Sequence, residues 1–276
     1  MRFWVLLIWA LVAPLLYGQE IERISLPLID GMQRADLYEL KPTESVVGVL
    51  VLCPGFNEKG DGFLRDPAWQ EFARQHHLGL VGLSFASEKA LLRNGEGYYY
   101  ASKGSGQILL DGIQQMFGGT PPLLLFGFSG GAHFTSRFAE WKPERVLAWC
   151  AYSAGWWDLP KPSIAMPPGI IACGDQDPRY GASLMYFKQG RALDKPWLWI
   201  SVPTTGHSIS SSVEVFVREY FDALLGQYPN IDPHASGLWI DIDQGVPTDP
   251  SQQPTAITGW LPAPALLEPW RKICVP

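Results

Sequence analysis

The sequence lacks several features that would assign it to other classes of protein. It has no block of like charges, no low-complexity segment and no internal repeat, and only 17% of its 276 residues are charged. The formal net charge of −6 provides no basic surface, so we expect no nucleic-acid partner. No paired cysteine or histidine spacing indicates a catalytic metal, and we expect no cofactor. What remains is a chain that is 47% apolar, which is enough for one large buried core.

Cysteine is also scarce, and the pattern leaves its chemistry open. The four cysteines are Cys53, Cys150, Cys173 and Cys274. An even number in an exported chain permits disulfides, and four cysteines allow three pairings. The first three lie in apolar runs that predict central strands, where buried free thiols are common. Disulfides and buried free thiols are therefore both consistent with the sequence.

The apolar run at the N-terminus is too short to span a bilayer comfortably. It covers residues 3–17, follows a basic residue and precedes a polar pair, whereas a membrane helix needs about 20 residues. A basic start, a short apolar stretch and a small residue before a polar segment are typical of a secretory signal peptide. We predict a signal peptide at residues 1–18 and a secreted or periplasmic protein without stable membrane insertion. An uncleaved anchor is the competing interpretation.

Apolar runs alternate with helical patterns along most of the remaining chain. Runs such as 46–53, 78–85 and 121–128 are nearly continuous, as expected of strands buried on both faces. Helical spacing of apolar residues lies between them. This alternation predicts an α/β fold with a mostly parallel central sheet and helices on both faces. We predict this domain over residues 19–225.

The two ends of the mature chain do not show this alternation of strand and helix patterns. Residues 24–29 and 35–40 predict an antiparallel starting pair joined by a turn at Asp30-Gly31. Residues 226–276 are rich in Pro, Asp, Gln and Gly, with one strand-like piece at 238–242 and a short helix at 264–272. We predict an irregular C-terminal extension packed on the domain.

The clearest chemical motif is Gly127-Phe128-Ser129-Gly130-Gly131, which matches G-x-S-x-G. It follows a buried strand and opens a helix, so the chain must turn sharply and small flanking residues relieve the crowding around Ser129. The turn exposes the hydroxyl above the sheet, at the positive end of a helix. The motif therefore predicts a serine nucleophile, and a glycine-rich loop with Ser129 as a helix cap is the alternative.

A serine nucleophile needs a base, and the base needs an acid that orients it. Asp175 and Asp177 follow the strand that ends at Cys173, and Gly206-His207-Ser208 follows a later strand. Serine, aspartate and histidine in this chain order are typical of the fold that carries G-x-S-x-G. The other histidines lie inside helical patterns or in the C-terminal extension, at His76, His77, His133 and His234.

On these three motifs, the stretch from residue 46 to residue 225 resembles the α/β-hydrolase superfamily. It is most similar to carboxylesterases with little or no lid, related to dienelactone hydrolases, feruloyl esterases and polyhydroxybutyrate depolymerases. The resemblance implies a serine esterase with a Ser-His-Asp triad. It also implies that the acid is the last residue of the G-x-x-D pattern, which is Asp177, with Asp175 as its competitor.

The oxyanion of acyl transfer needs two backbone N–H donors. One is expected from Gly130, the residue after the nucleophile, and one from the loop after the first buried parallel strand, Cys53-Pro54-Gly55-Phe56-Asn57. Many relatives have His-Gly in this loop, so Pro54 is a departure. Because proline has no N–H, we assign the second donor to Phe56.

The loop between Tyr152 and Pro168 limits the substrate. Relatives with buried lipid-type pockets often place a helical cap there, so a short loop predicts an open site for bulky or polymer-derived esters. Trp156 and Trp157 lie in this loop and are candidates for stacking on an aromatic or sugar group, and covering the core edge is their alternative role.

Two other functions compete with the esterase. A serine peptidase of the same fold ranks lower because the chain lacks the propeller domain of oligopeptidase relatives. A non-catalytic binding module ranks lowest because such a module would normally have lost one triad residue. The sequence identifies neither the ester that is cleaved nor the oligomeric state.

Overall fold

The computed structural model describes residues 20–40, 42, 45–248 and 255–274. The predicted signal peptide lies outside these residues. The strands of the described chain are β1 (Ile21–Ser25), β2 (Met32–Leu40), β3 (Gly48–Cys53), β4 (Leu78–Ser87), β5 (Leu123–Phe128), β6 (Val146–Tyr152), β7 (Gly169–Gly174), β8 (Trp197–Val202), β9 (Leu238–Asp241), β10 (Val246–Pro247) and β11 (Thr258–Leu261).

The first eight strands form one sheet in the order β1-β2-β4-β3-β5-β6-β7-β8. The β1–β2 and β2–β4 pairs are antiparallel, and every later pair in the sheet is parallel. Every residue of β3, β6 and β7 is buried. Because successive side chains point to opposite faces, both faces of the sheet are covered. The predicted α/β class with a mostly parallel sheet is confirmed.

Helices lie in every connection between consecutive parallel strands except the one from β6 to β7, and two further helices follow β8. The helices are α1 (Asp61–Leu64), α2 (Pro67–Gln75), α3 (Lys89–Arg93), α4 (Ser105–Phe117), α5 (Gly130–Trp141), α6 (Tyr180–Ala192), α7 (Ser211–Leu225) and α8 (Leu267–Cys274), with short 3-10 turns at Ala101–Lys103, Pro143–Arg145 and Pro264–Leu266. Apolar spacing over residues 67–77, 105–117, 182–193 and 212–225 predicts α2, α4, α6 and α7 to within two residues, but the short α1 and α3 have no such pattern. None of the helices in the described ranges has the length and apolar character needed to cross a bilayer.

The C-terminal extension is more regular than predicted. β9 pairs antiparallel with both β10 and β11, which forms a second, three-stranded sheet. This sheet and α8 pack beside β8, the last strand of the large sheet. The Trp270 indole N–H donates to the Trp199 carbonyl at 2.8 Å, and Trp260 and Trp270 are fully buried. The extension therefore covers one edge of the large sheet.

All four cysteines are free thiols. Cys53, Cys150 and Cys173 are buried in β3, β6 and β7, and Cys274 is partly buried at the end of α8. Burial raises the pKa of the Cys53 thiol to about 12, because a thiolate in an apolar core loses its hydration. Of the two alternatives that the sequence leaves open, disulfides and buried free thiols, the structure has free thiols.

Candidate active site

Ser129 lies at the sharp turn between β5 and α5. Its φ is 51°, which is in the left-handed region that a serine rarely adopts. A Cβ on Gly127 would collide with the Thr135 side chain and the Gly131 backbone, and a Cβ on Gly131 would collide with the Cys53 carbonyl. The flanking glycines of the motif are thus required by close backbone approach, and the turn holds the serine above the sheet.

Ser129, His207 and Asp177 form one hydrogen-bonded chain. The Ser129 Oγ lies 2.9 Å from His207 Nε2, and His207 Nδ1 lies 2.7 Å from Asp177 Oδ2. The three side chains come from turns after β5, β8 and β7, and the carboxyl ends of parallel strands meet at one edge of a sheet. The residues predicted from three separate motifs are therefore brought together.

The carboxyl group of Asp177 is inaccessible to solvent and fully hydrogen-bonded, whereas the His207 side chain is 29% exposed. Burial alone would raise the pKa of Asp177, but hydrogen bonds from His207, from the Arg179 backbone N–H, from Ser153 and from the Arg179 side chain outweigh it. The pKa of Asp177 is therefore lowered. Asp177 stays ionised and can stabilise a positive charge on the imidazole.

Asp175, the alternative acid, lies elsewhere. It is exposed, and its Oδ1 accepts a hydrogen bond from the Thr205 backbone N–H at 3.2 Å. This contact braces the loop that precedes His207. The geometry gives Asp175 a role in the loop and gives Asp177 the contact with the imidazole.

The residues of the two predicted oxyanion donors lie close together. The Phe56 nitrogen lies 2.6 Å from the position that a Cβ on Gly130 would occupy. Gly130 is the first residue of α5, so its N–H has no partner within the helix. Within the described residues neither N–H donates a hydrogen bond. A bond from the Gly131 N–H to the Pro54 carbonyl, at 2.8 Å, fixes the two segments together.

The loop that carries Phe56 is held by residues that the sequence analysis did not single out. Arg34 on β2 donates to the carbonyls of Asn57 and Glu58, at 2.5 and 2.8 Å. Asn57 has a left-handed φ of 59°, and its side-chain amide makes two hydrogen bonds with the backbone of Ser87. No local pattern links these residues, since they are more than 20 positions apart.

Two exposed aromatic side chains, Phe56 and Trp156, both contact the ring of Tyr99. Phe56 is 39% exposed and Trp156 is 38% exposed, although both are large apolar side chains. Beneath them, the buried Tyr99 stacks on His133 at 4.5 Å, and Trp156 packs on His133 at 4.1 Å. Trp157 has a different environment. It stacks on Tyr186 at 4.2 Å and donates to Ser183, which are both on α6.

Helix α5 fixes the loop that carries Trp156. His133 Nε2 accepts a hydrogen bond from the Gly155 N–H at 2.9 Å. Arg137 forms a bidentate ion pair with Asp158, at 2.7 and 3.0 Å. Glu140 accepts from both the backbone N–H and the side chain of Lys161. Positions 133, 137 and 140 share one helical face. Ser129 and the loop of Trp156 are therefore attached to the same helix.

The described residues include no group of three or more His, Cys, Asp or Glu side chains placed to hold a metal ion. A mostly parallel eight-stranded sheet with a Ser-His-Asp chain at its carboxyl edge is the arrangement of the α/β-hydrolase fold.

Comparison with solved structures confirms this fold. A fluorophosphonate-binding serine hydrolase of Staphylococcus aureus is 16% identical, with a TM-score of 0.53 over 74% of this chain and 98% of its own. The poly(3-hydroxybutyrate) depolymerase from Bordetella parapertussis is 18% identical, with a TM-score of 0.51 over 77% and 92%. A ferulic acid esterase is 13% identical, with a TM-score of 0.55 over 75% and 97%. No family model and no curated protein sequence matches the chain.

Proposed function

We propose that this chain is a serine hydrolase that cleaves carboxylic esters, with Ser129 as nucleophile, His207 as general base and acid, and Asp177 as the orienting acid. The observation that carries the proposal is the chain of two short hydrogen bonds, 2.9 and 2.7 Å, that ends on a serine held at a strained turn. The fold is one in which an esterase, a depolymerase of a polyester and a fluorophosphonate-binding hydrolase occur.

The proposed reaction has two acyl-transfer steps. His207 Nε2 takes the proton of Ser129 as the oxygen adds to the ester carbonyl, and Asp177 stabilises the imidazolium. The resulting oxyanion accepts from the N–H groups of Phe56 and Gly130. His207 then protonates the leaving alcohol, and water cleaves the acyl-enzyme by the same route.

The proposed substrate is a bulky or polymer-derived ester. The described loop between β6 and β7 contains no helix, and the exposed rings of Phe56 and Trp156, which both contact Tyr99, offer an apolar surface. Trp157 contacts α6 instead, so we assign substrate stacking to Trp156 alone.

Ser129→Ala tests the chemistry. We expect the variant to fold normally and to lose at least about 10⁴-fold in kcat on p-nitrophenyl esters, because no other group can form the acyl-enzyme. The wild type should become covalently labelled by a fluorophosphonate probe at Ser129, as read by peptide mass spectrometry. Turnover or labelling that survives in Ser129→Ala would rule out this nucleophile.

We also propose export, with residues 1–18 as a cleaved signal peptide. The basis is the sequence pattern alone. N-terminal sequencing of the protein recovered outside the cytoplasm should begin at Gln19. An intact Met1 terminus on a membrane-bound form would favour the uncleaved anchor.

A further inference from the structure

The hydroxyl of Tyr98 lies beside Gly130 and Phe56, the two proposed oxyanion donors, although the proposed mechanism does not use it. Tyr98 is 2% exposed. Its Oη lies 2.8 Å from the position of a Cβ on Gly130, the same point that lies 2.6 Å from the Phe56 nitrogen. The phenol therefore meets both proposed oxyanion donors in one small region.

This phenol accepts one hydrogen bond and directs its proton at a neighbouring hydroxyl. The Asn57 N–H donates to Tyr98 Oη at 3.3 Å, so the oxygen acts as an acceptor toward the loop. A hydroxyl group accepts with a lone pair and donates with its proton. The proton of Tyr98 is directed at the hydroxyl of Tyr99, whose ring lies 4.8 Å away. A charged oxyanion is a stronger acceptor than a neutral phenol, so the proton can turn from Tyr99 to an oxyanion as the charge develops.

Buried groups fix the position of Tyr98. Its backbone N–H donates to Ser87 Oγ at 3.0 Å, and its carbonyl accepts from Ser105 Oγ at 2.9 Å. Both serines are fully buried. Ser87 also binds the side chain of Asn57, so the phenol and the Phe56 loop are aligned on the same residue. Donors that are fixed in advance stabilise developing charge without reorganising.

We propose that the Tyr98 hydroxyl is a third donor to the oxyanion, beside the N–H groups of Phe56 and Gly130. The inference rests on the proposed function. As Ser129 adds to the carbonyl, the negative charge on the carbonyl oxygen accepts a hydrogen bond from the phenol. The proton stays on the phenol throughout, and the charge returns to the carbonyl when the leaving alcohol departs.

Burial, and secondly the nearby Tyr99 hydroxyl, raise the pKa of Tyr98 well above that of an ordinary phenol. The group is therefore protonated and able to donate over the whole pH range in which an esterase with a histidine base works.

Tyr98→Phe tests the donor, and Tyr100→Phe is its matched control, because the Tyr100 hydroxyl donates to the Leu92 carbonyl instead. Loss of one oxyanion donor costs roughly 10²–10³ in kcat. With two donors left, we expect Tyr98→Phe to lower kcat on p-nitrophenyl acetate by about 10–10²-fold, with KM within about threefold. Tyr100→Phe should match the wild type.

A trifluoromethyl ketone separates a donor from a structural residue. Such a ketone adds to the nucleophile and forms a stable oxyanion, so its inhibition constant should rise in Tyr98→Phe by about the same factor as kcat falls. A loss of kcat without weaker ketone binding would make Tyr98 a structural residue and overturn the proposal. So would a kcat within threefold of the wild type.

A second variant covers the case in which Tyr98→Phe does not fold. Placing 3-fluorotyrosine at position 98 keeps the shape and makes the phenol a stronger donor, so the ketone should bind more tightly, and an unchanged affinity contradicts the proposal. If Ser129→Ala is inactive while Tyr98→Phe is fully active, only this inference fails. If Ser129→Ala is active, the proposed function itself fails.

Discussion

Two histidines lie close to Ser129, and their surroundings differ in every respect that matters for proton transfer. His207 is 29% exposed and lies between a hydroxyl and a buried carboxylate. His133 is one helical turn from Ser129, 2% exposed, and lies between the Gly155 N–H and the Arg137 guanidinium. Neither of these neighbours of His133 accepts a proton.

The difference shows that the partner determines the role of an imidazole. A carboxylate behind His207 Nδ1 fixes the tautomer and stabilises the charged ring. Burial lowers the pKa of His133 well below the ordinary value, and the charges of Arg137 and Arg179 lower it further. A second proton on His133 would also displace the Gly155 hydrogen bond. His133 is therefore a neutral structural group, although it is close to Ser129 along the chain.

The largest expected effect comes from replacing each histidine by glutamine. His207→Gln removes the base, and we expect kcat to fall by at least about 10⁴-fold. His133→Gln keeps an acceptor for the Gly155 N–H, and we expect kcat to change by less than about tenfold, or about 1.4 kcal/mol in the barrier. Steady-state kinetics on p-nitrophenyl acetate measures both. Similar losses of kcat in the two variants would contradict the assignment of proton transfer to His207 and of a structural role to His133.

The next effect separates the two aspartates. Asp177→Asn should leave the geometry intact but favour the wrong tautomer of His207, which lowers kcat by about 10⁴-fold. Asp175→Asn should lower it by less than about threefold, since its side chain contacts only the Thr205 N–H. The same assay, with thermal unfolding as a check on folding, compares the pair. A larger loss in Asp175→Asn would reverse the assignment of the acid.

A smaller effect concerns stability against pH. Because the pKa of His133 is depressed in the folded state, the unfolded chain binds a proton below about pH 6.5 that the folded chain does not. Stability is therefore lost as the pH falls below this value, by up to about 2 kcal/mol from this group at pH 5. In His133→Gln the change in the free energy of unfolding between pH 7 and pH 5 should be smaller. Urea titrations at both pH values measure it, and an equal pH dependence in the two proteins would show that His133 takes up a proton in the fold.

The smallest effect concerns the loop that His133 holds in place. Trp156→Ala should raise KM for a feruloyl ester by about fivefold to tenfold, equal to about 1 kcal/mol of ring stacking, and leave KM for acetate esters unchanged. Trp157→Phe keeps a ring against Tyr186 and should leave both KM values unchanged. A raised KM for the feruloyl ester in Trp157→Phe alone would assign the binding surface to the other tryptophan.

Sequence patterns predict this molecule well where the structure depends on residues that are close together in the chain. The patterns at residues 105–117 and 146–152 predict the limits of α4 and β6, because apolar patterning reflects burial directly. The G-x-S-x-G motif predicts the strained turn because only small residues fit its crowded flanks. The second sheet was not predicted, since β10 has only two residues and its proline breaks the strand pattern.

The contacts that align the site also could not be predicted from the sequence. Arg34 and Arg179 look like ordinary surface residues in the chain. Their roles come from long-range hydrogen bonds, such as those from Arg34 to the Phe56 loop and from Arg179 to Asp177. Single-sequence patterns carry no information about such pairs.

The C-terminal segment beside β8 also affects how the protein behaves at high concentration. Among the residues that the structure describes, β8 has a sheet partner only on the β7 side, and a bare edge strand is a template for pairing with another molecule. The Trp270 indole N–H donates a hydrogen bond to the Trp199 carbonyl on that strand. A chain shortened to residue 225 would expose this edge, and its tendency to self-associate through β-pairing should increase, whatever happens to the chemistry at Ser129.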